Sequence, residues 1–350
     1  MNLWGFLVWG LMAAPPSSPA AKTEPHLANL QRLTTQGDNA EAYFSWDGTR
    51  LVYQSMREGF TGDQIFVLDL KTGKEQLVST GKGRTTCSFF LPGDSLVLFA
   101  STHETLGDQK LPGGHYDPNL HAYVWPLYNY DLYIRNLRTG ELKKLFGSPG
   151  YDAEATVARD GRIVFTSTFE GDMELYILDP PYTQPPRRIT HQVGYDGGAF
   201  FTPDGRYLVY RGWHPTDSAE IAEYRALLQK GLMKGVPLQL FVYDLVRDTF
   251  WQVTHNDAVN FAPYPFPHQK RMIFASSLGD PTMRTFHLWA VDFDGSHLEQ
   301  ITFQGTFNSF PMFSPDGTKL VWASNRFNPN RHLSDIVLAD WKETTEGEVK

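Results

Sequence analysis

Residues 310–322 read Phe310-Pro-Met-Phe-Ser-Pro-Asp-Gly-Thr-Lys-Leu-Val-Trp322, and residues 43–53 read Tyr43-Phe-Ser-Trp-Asp-Gly-Thr-Arg-Leu-Val-Tyr53. Each is an extended apolar run, an Asp-Gly turn and a second, alternating run. Asp-Gly suits a tight hairpin, because glycine takes positive φ cheaply and aspartate bonds its own backbone. The phrase returns at 87–99, 155–165, 199–210 and 262–274. The second copy turns on Gly93-Asp94 and the fifth on His268-Gln269. A further hairpin follows each phrase, as in Gln64-Ile-Phe-Val-Leu-Asp-Leu-Lys-Thr-Gly73 and His287-Leu-Trp-Ala-Val-Asp-Phe-Asp-Gly295. Four antiparallel strands per repeat make one propeller blade. The repeat therefore predicts an all-β fold, a six-bladed β-propeller of four-stranded antiparallel blades across residues 28–342. The sixth repeat supplies three strands, ending at Asp335–Trp341. Leu30-Gln-Arg-Leu-Thr-Thr35 matches the fourth strands elsewhere, such as Gln300-Ile-Thr302. An N-terminal strand is thus expected to close the last blade and remove an open edge.

Composition agrees. Hydrophobic residues make up 41% of the 350 and aromatics 14%, with 30 Gly and 23 Pro to break strands. Many aromatic strands separated by many turns read as all-β. The formal charge is -8 and no basic block occurs, which excludes the electrostatic footprint of a nucleic-acid binder. The one cysteine, Cys87, rules out an intramolecular disulfide, a cysteine-rich zinc site and a lipoprotein anchor. In an innermost strand an inert thiol is expected. No Gly-x-Ser-x-Gly elbow, P-loop or dinucleotide fingerprint is present. Residues 1–21 hold a short apolar stretch followed by small residues, the pattern of a signal peptide cut after Ala20, although no Lys or Arg precedes Lys22. A linker at 22–27, a polar tail at 343–350, a periplasmic or secreted location and no integral membrane span in the mature chain follow as expectations.

The hairpin turns fall at 47, 93, 160, 204, 268 and 316. Two intervals are longer than the rest, which places inserts at 102–129 in blade 2 and 212–237 in blade 4. Both join the second and third strands of their blades, on the face opposite the Asp-Gly turns. Loops longer than structure needs are often functional. The blade 4 insert carries one helical segment from Ser218, with Ile221, Tyr224, Leu227 and Leu228 on one face, Asp217 or Ser218 as cap and Gly231 as stop. It reads as packed on the propeller or as a lid or docking helix. The blade 2 insert is rich in aromatics and histidines. His103, His115 and His121, with His214 near the blade 4 insert, are candidate transition-metal ligands. Trp125 is a candidate for stacking on sugar rings or peptide side chains.

Eight residues before each turn stand Asn39, Thr85, Asp152, Asp196, Asn260 and Asn308. Two residues later come Glu41, Cys87, Glu154, Gly198, Ala262 and Phe310. At the entries of six innermost strands, these should ring the channel mouth on the insert-bearing face. Glu41, Asp152, Glu154, Asp196, Asn260 and Asn308 form an oxygen-rich candidate site, with Arg57 and Arg211 near the rim. Converging carboxylates bind a cation such as Ca²⁺, Mn²⁺ or Zn²⁺, or raise a pKa. The alternative is that short polar residues simply cap strand starts.

The phrase Ser314-Pro-Asp-Gly-Thr-Lys-Leu-Val-Trp-Ala-Ser-Asn-Arg326 resembles the WD-like repeat of TolB-type propellers, over nearly all of 28–342. Gly150-Tyr-Asp-Ala-Glu-Ala-Thr156 and Gly194-Tyr-Asp-Gly-Gly-Ala-Phe-Phe201 are similar to a subgroup of exported TolB-like proteins. The resemblance implies a binding or scaffold module of the cell envelope, with a protein or glycan as partner. A second implication comes from propeller lyases of uronic-acid sugars, which share the repeat type and use His with a divalent metal. On that reading a blade 2 histidine is base or ligand. A polyanionic substrate at the acidic mouth then needs a bridging metal, since no Lys/Arg cluster compensates, with Arg57, Arg84 and Arg326 expected near the rim.

Overall fold

The computed structural model describes residues 22–343. The expected signal peptide and all but the first residue of the expected tail lie outside the described residues. Six four-stranded antiparallel sheets form the blades. Blade 1 runs Asp38–Phe44, Arg50–Met56, Gln64–Asp69 and Glu75–Leu77, and the pattern repeats through blade 5, which ends at Glu299–Gln300. Each innermost strand touches those of both neighbouring blades, so the ring is closed. Blade 6 is Asn308–Phe313, Lys319–Ser324, Asp335–Trp341 and, as expected, the N-terminal strand Leu27–Arg32. Leu27 lies opposite Trp341 and Arg32 opposite Val337. The Arg32 guanidinium pairs with buried Asp335 at 2.8 Å, which fixes this closure. Glu24 and His26 are docked rather than loose: Glu24 pairs with Arg326 at 2.7 Å, and the His26 ring stacks on Trp341.

The two inserts depart from blade geometry together. His115–Asp117 and Ala122–Pro126 make a hairpin from the blade 2 insert, and Leu232–Lys234 from the blade 4 insert pairs with it. A seventh, three-stranded sheet thus bridges blades 2 and 4. The helix Ser218–Leu228 is capped by Asp217, whose carboxylate accepts from the Ala219 and Glu220 amides. Tyr224 and Leu227 are buried on its inner face. The Tyr224 hydroxyl lies within hydrogen-bond reach of the Asp172 carboxylate and the Gly194 carbonyl of blades 3 and 4, either of which can accept its one proton. A buried phenol in contact with both blades anchors this helix to the face. Among the described residues no helix is long and apolar enough to cross a membrane.

Candidate functional site

The channel is built from three successive layers of equivalent positions. The first holds Asn39, Thr85, Asp152, Asp196, Asn260 and Asn308, each with an exposure of 1% or less. Every one of their backbone N–H groups donates to a carbonyl of the preceding blade, for example Asn39 to Ser334 and Asn308 to Phe286. The side chains continue the latch. Asn39 and Asn260 amides donate to Ser334 and Leu238 carbonyls at 3.1 and 2.9 Å. Asp152 accepts from Ser148 and Ser167. Asp196 accepts from His214 at 2.9 Å. The Asn260 and Asn308 side chains thus extend the backbone latch to the preceding blade, whereas Asp152 is held by Ser148 and Ser167 and Asp196 by His214 of its own blade. A strand entry leaves backbone groups unpaired, and short polar side chains bond them there.

The second layer is Glu41, Cys87, Glu154, Gly198, Ala262 and Phe310. All six adopt left-handed backbone, with φ between 49° and 59°. The pairing register shifts across this point in every blade. A bulge of this kind re-aims a side chain. It costs a non-glycine residue about 1–2 kcal/mol, and only blade 4 has glycine here. The layer divides into a polar and an apolar half. Glu154 accepts from Arg211 at 2.6 Å, from Thr166 and the Gly198 amide at 2.8 Å, and from the Tyr195 hydroxyl at 3.0 Å. Arg211 also donates to Tyr195 at 2.7 Å. Burial opposes its charge, but Glu154 and the Tyr195 phenol hold it well above the usual range. Glu41 has no such set. Burial raises its carboxyl to about 7, offset in part by the Cys87 thiol and Arg211. Burial and the charge of Glu41 likewise push the Cys87 thiol up, the inert state expected of it. Across the axis, Phe261 packs edge-on against Phe310 and Phe286.

The third layer closes the channel. Tyr43 and Phe200, from opposite blades, meet edge to face at 5.4 Å, and Phe89 and Tyr264 complete the cluster. These positions lie four residues before each turn. The same spacing that located the first two layers also marked this one in the sequence, and aromatics there signalled a filled axis. Sequence reasoning missed it, and with it Thr166, Tyr151 and Tyr195 around Glu154.

Of the candidate residues, the structure brings together Glu41, Glu154 and Arg211. Arg57 is not at the mouth: it pairs with Glu75 at 2.8 Å and lies 4.0 Å from the Phe66 ring centre. Arg84 and Arg326 are paired with Asp63 and Glu24. The four histidines do not converge. His103 bonds Ser101 and packs on Tyr133, His115 bonds the Gly113 carbonyl, and His121 occupies a left-handed turn. For His214, burial opposes protonation, but the Asp196 bond prevails and raises its pKa. Among the described residues no group of three or more His, Cys, Asp or Glu is placed to hold a metal ion. The expected divalent-cation site thus has no donor set, because the loop histidines are spread along separate strands and turns. Trp125 stands on the bridging sheet with 48% exposure, beside Tyr123 at 4.6 Å between ring centres. Tyr116 lies directly opposite Tyr123 and is also exposed. Gly114 and Gly235 leave room for the Trp125 ring, since a Cβ at either would press on it.

No family model matches the chain. It is 28% identical over 203 residues to the Tol-Pal system protein TolB of Francisella tularensis subsp. mediasiatica, an alignment covering 56% of this chain and 41% of that protein. The chain thus spans about two fifths of the length of the curated relatives it matches. TolB from Acinetobacter baumannii superposes with a TM-score of 0.55 at 17% identity, over 89% of this chain and 65% of that one. A protein taken to be TolB, from Agrobacterium tumefaciens, gives 0.57 at 16% identity, over 90% and 97%. Sequence similarity over part of the chain and a shared fold over nearly all of it converge: the chain is a six-bladed β-propeller similar to TolB.

Proposed function

We propose that this propeller is a binding module of the cell envelope, periplasmic or secreted, that docks a protein segment or glycan on its insert-bearing face. The observation that carries this is the bridging sheet. Two inserts from separate blades pair to present Tyr116, Tyr123 and Trp125 on strands rather than on a free loop. Exposed aromatics on a rigid support give large contact area at low entropy cost. Likeness to TolB, a Tol-Pal system protein by name, favours a binding role over catalysis. The metal-assisted sugar-cleaving alternative lacks a donor cluster among the described residues.

The test is capture from envelope extracts, run beside a glycan array, with the parent protein and a Tyr123→Ser, Trp125→Ser double variant. A retained partner should lose at least about tenfold in affinity in the variant, since each anchor residue is worth over 1 kcal/mol. Equal retention by parent and variant would sink the assignment of this face.

A further inference from the structure

We propose that a cavity at the opposite, turn-bearing end of the channel binds a small carboxylic acid carrying one aromatic ring or a branched alkyl group. The cavity has a volume of about 140 Å³ and is floored by Phe89, Phe200 and Met312 of the plug, with Phe44 and Trp46 in its wall. A buried apolar space of about 150 Å³ accommodates a benzene molecule, so the size fits one ring. The plug separates this space from the insert-bearing face, so the two ends are independent sites.

The polar lining decides the other half of the ligand. No acidic residue lines the cavity. Three lining hydroxyls are already used within their own turns: Ser45 donates to Asp47, Thr202 to Asp204 and Ser314 to Asp316. Three other groups are not. Arg159 rests on the Trp46 ring at 5.5 Å, yet makes no ion pair among the described residues, although the acid-rich turns surround it. His268 likewise bonds nothing there. The Tyr264 hydroxyl lines the cavity without a hydrogen-bond partner among the described residues. Burial keeps that phenol protonated, and it feels the positive charge of Arg159. A guanidinium and a neutral phenol, both donors, stand at the edge of an apolar cup. A carboxylate satisfies both by charge-assisted hydrogen bonds, while its apolar group fills the cup.

Ligand-observed NMR titration of the purified chain with phenylacetate and with phenylacetamide tests this. Phenylacetate should bind saturably and about two- to fivefold more tightly than the amide, the range of a partly exposed charge pair. Arg159→Gln, an exposed position, should abolish that preference. Tyr264→Phe, which keeps the ring and loses the hydroxyl, should reduce it. Near-ultraviolet circular dichroism confirms that each variant is folded. The proposal is overturned if neither probe saturates, if both bind equally to the parent, or if Arg159→Gln leaves the preference intact. Binding of a peptide ending in phenylalanine without any binding of phenylacetate would overturn the small-acid assignment.

Discussion

The two ends of this channel are built from the same six strands and face opposite problems. At the insert-bearing end most charged groups are paired internally, while Asn39 Oδ1 and Asp196 Oδ2 are buried there without a hydrogen-bond partner among the described residues. The strand entries latch neighbouring blades, Arg211 neutralises Glu154, and Arg57, Arg84 and Arg326 each hold a carboxylate. What that end offers to a partner is the added aromatic sheet. At the turn-bearing end nothing has been added, yet Arg159, His268 and the Tyr264 hydroxyl line an apolar cup without a protein hydrogen-bond partner among the described residues. Repetition stabilises the first end and leaves the second open. The difference shows that polar positions repeated at strand entries mark the joints of a propeller, whereas polar groups without a repeat partner stand apart from that latch.

The separation of the ends breaks most directly at the plug. Phe200→Ala removes the ring that meets Tyr43, Phe89 and Tyr264 and should cost about 3–5 kcal/mol, the range for a large buried aromatic. Urea denaturation measures it. A loss below about 1 kcal/mol would mean the ends are not divided by close packing. The charge asymmetry is sharpened by Glu41. Its folded pKa of about 7 lies above the ordinary 4.5, so the folded protein holds a proton that the unfolded chain has released. Stability contributed by this group is complete at low pH, falls as pH rises from about 4.5 to 7, and stays low above that. The cost at pH 8 is on the order of 3 kcal/mol. Glu41→Gln should therefore match the parent near pH 4.5 and exceed it at pH 8 by on the order of 2–3 kcal/mol. Glu174, also raised to about 7 by burial, should leave a residual slope. Equal pH profiles for parent and variant would show that Glu41 is not desolvated. The smallest effect concerns backbone. Gly198→Ala keeps left-handed geometry that five other blades accept without glycine, but its Cβ would sit 3.2 Å from the Arg211 guanidinium carbon. A loss of about 1–2 kcal/mol is expected in the same denaturation assay. A neutral substitution would show that the polar half has slack.

Blade number, strand count and closing strand were legible because each rests on local pattern: Asp-Gly turns, alternating runs and the interval between turns. The helix face of Tyr224 and Leu227 was legible for the same reason. The site was legible only in part. Spacing brought Glu41 and Glu154 to one layer, but periodicity cannot tell a side chain aimed at the axis from one aimed at the next blade. Asp152 accepts from the Ser148 amide and Asp196 from the His214 ring, partners that spacing does not reveal. The pairing of Leu232–Lys234 with Ala122–Pro126 joins segments more than 100 residues apart, and neither short strand carries an alternating signature of its own. Arg159 and Tyr264 lie at the turn-bearing end, where no insert marks the sequence.

The closure by Leu27–Arg32 also sets an order of events. Its partner strand Asp335–Trp341 lies some 300 residues later. At ribosomal speeds of about 5–20 residues per second, roughly 15–60 s separate the synthesis of the two. Until the C-terminal strand is available, wherever the chain folds, the first strand is without its mate. The last joint of the ring therefore doubles as a checkpoint on completeness. A truncated product cannot seal its circle, and it would keep an exposed edge that quality-control proteases and chaperones recognise.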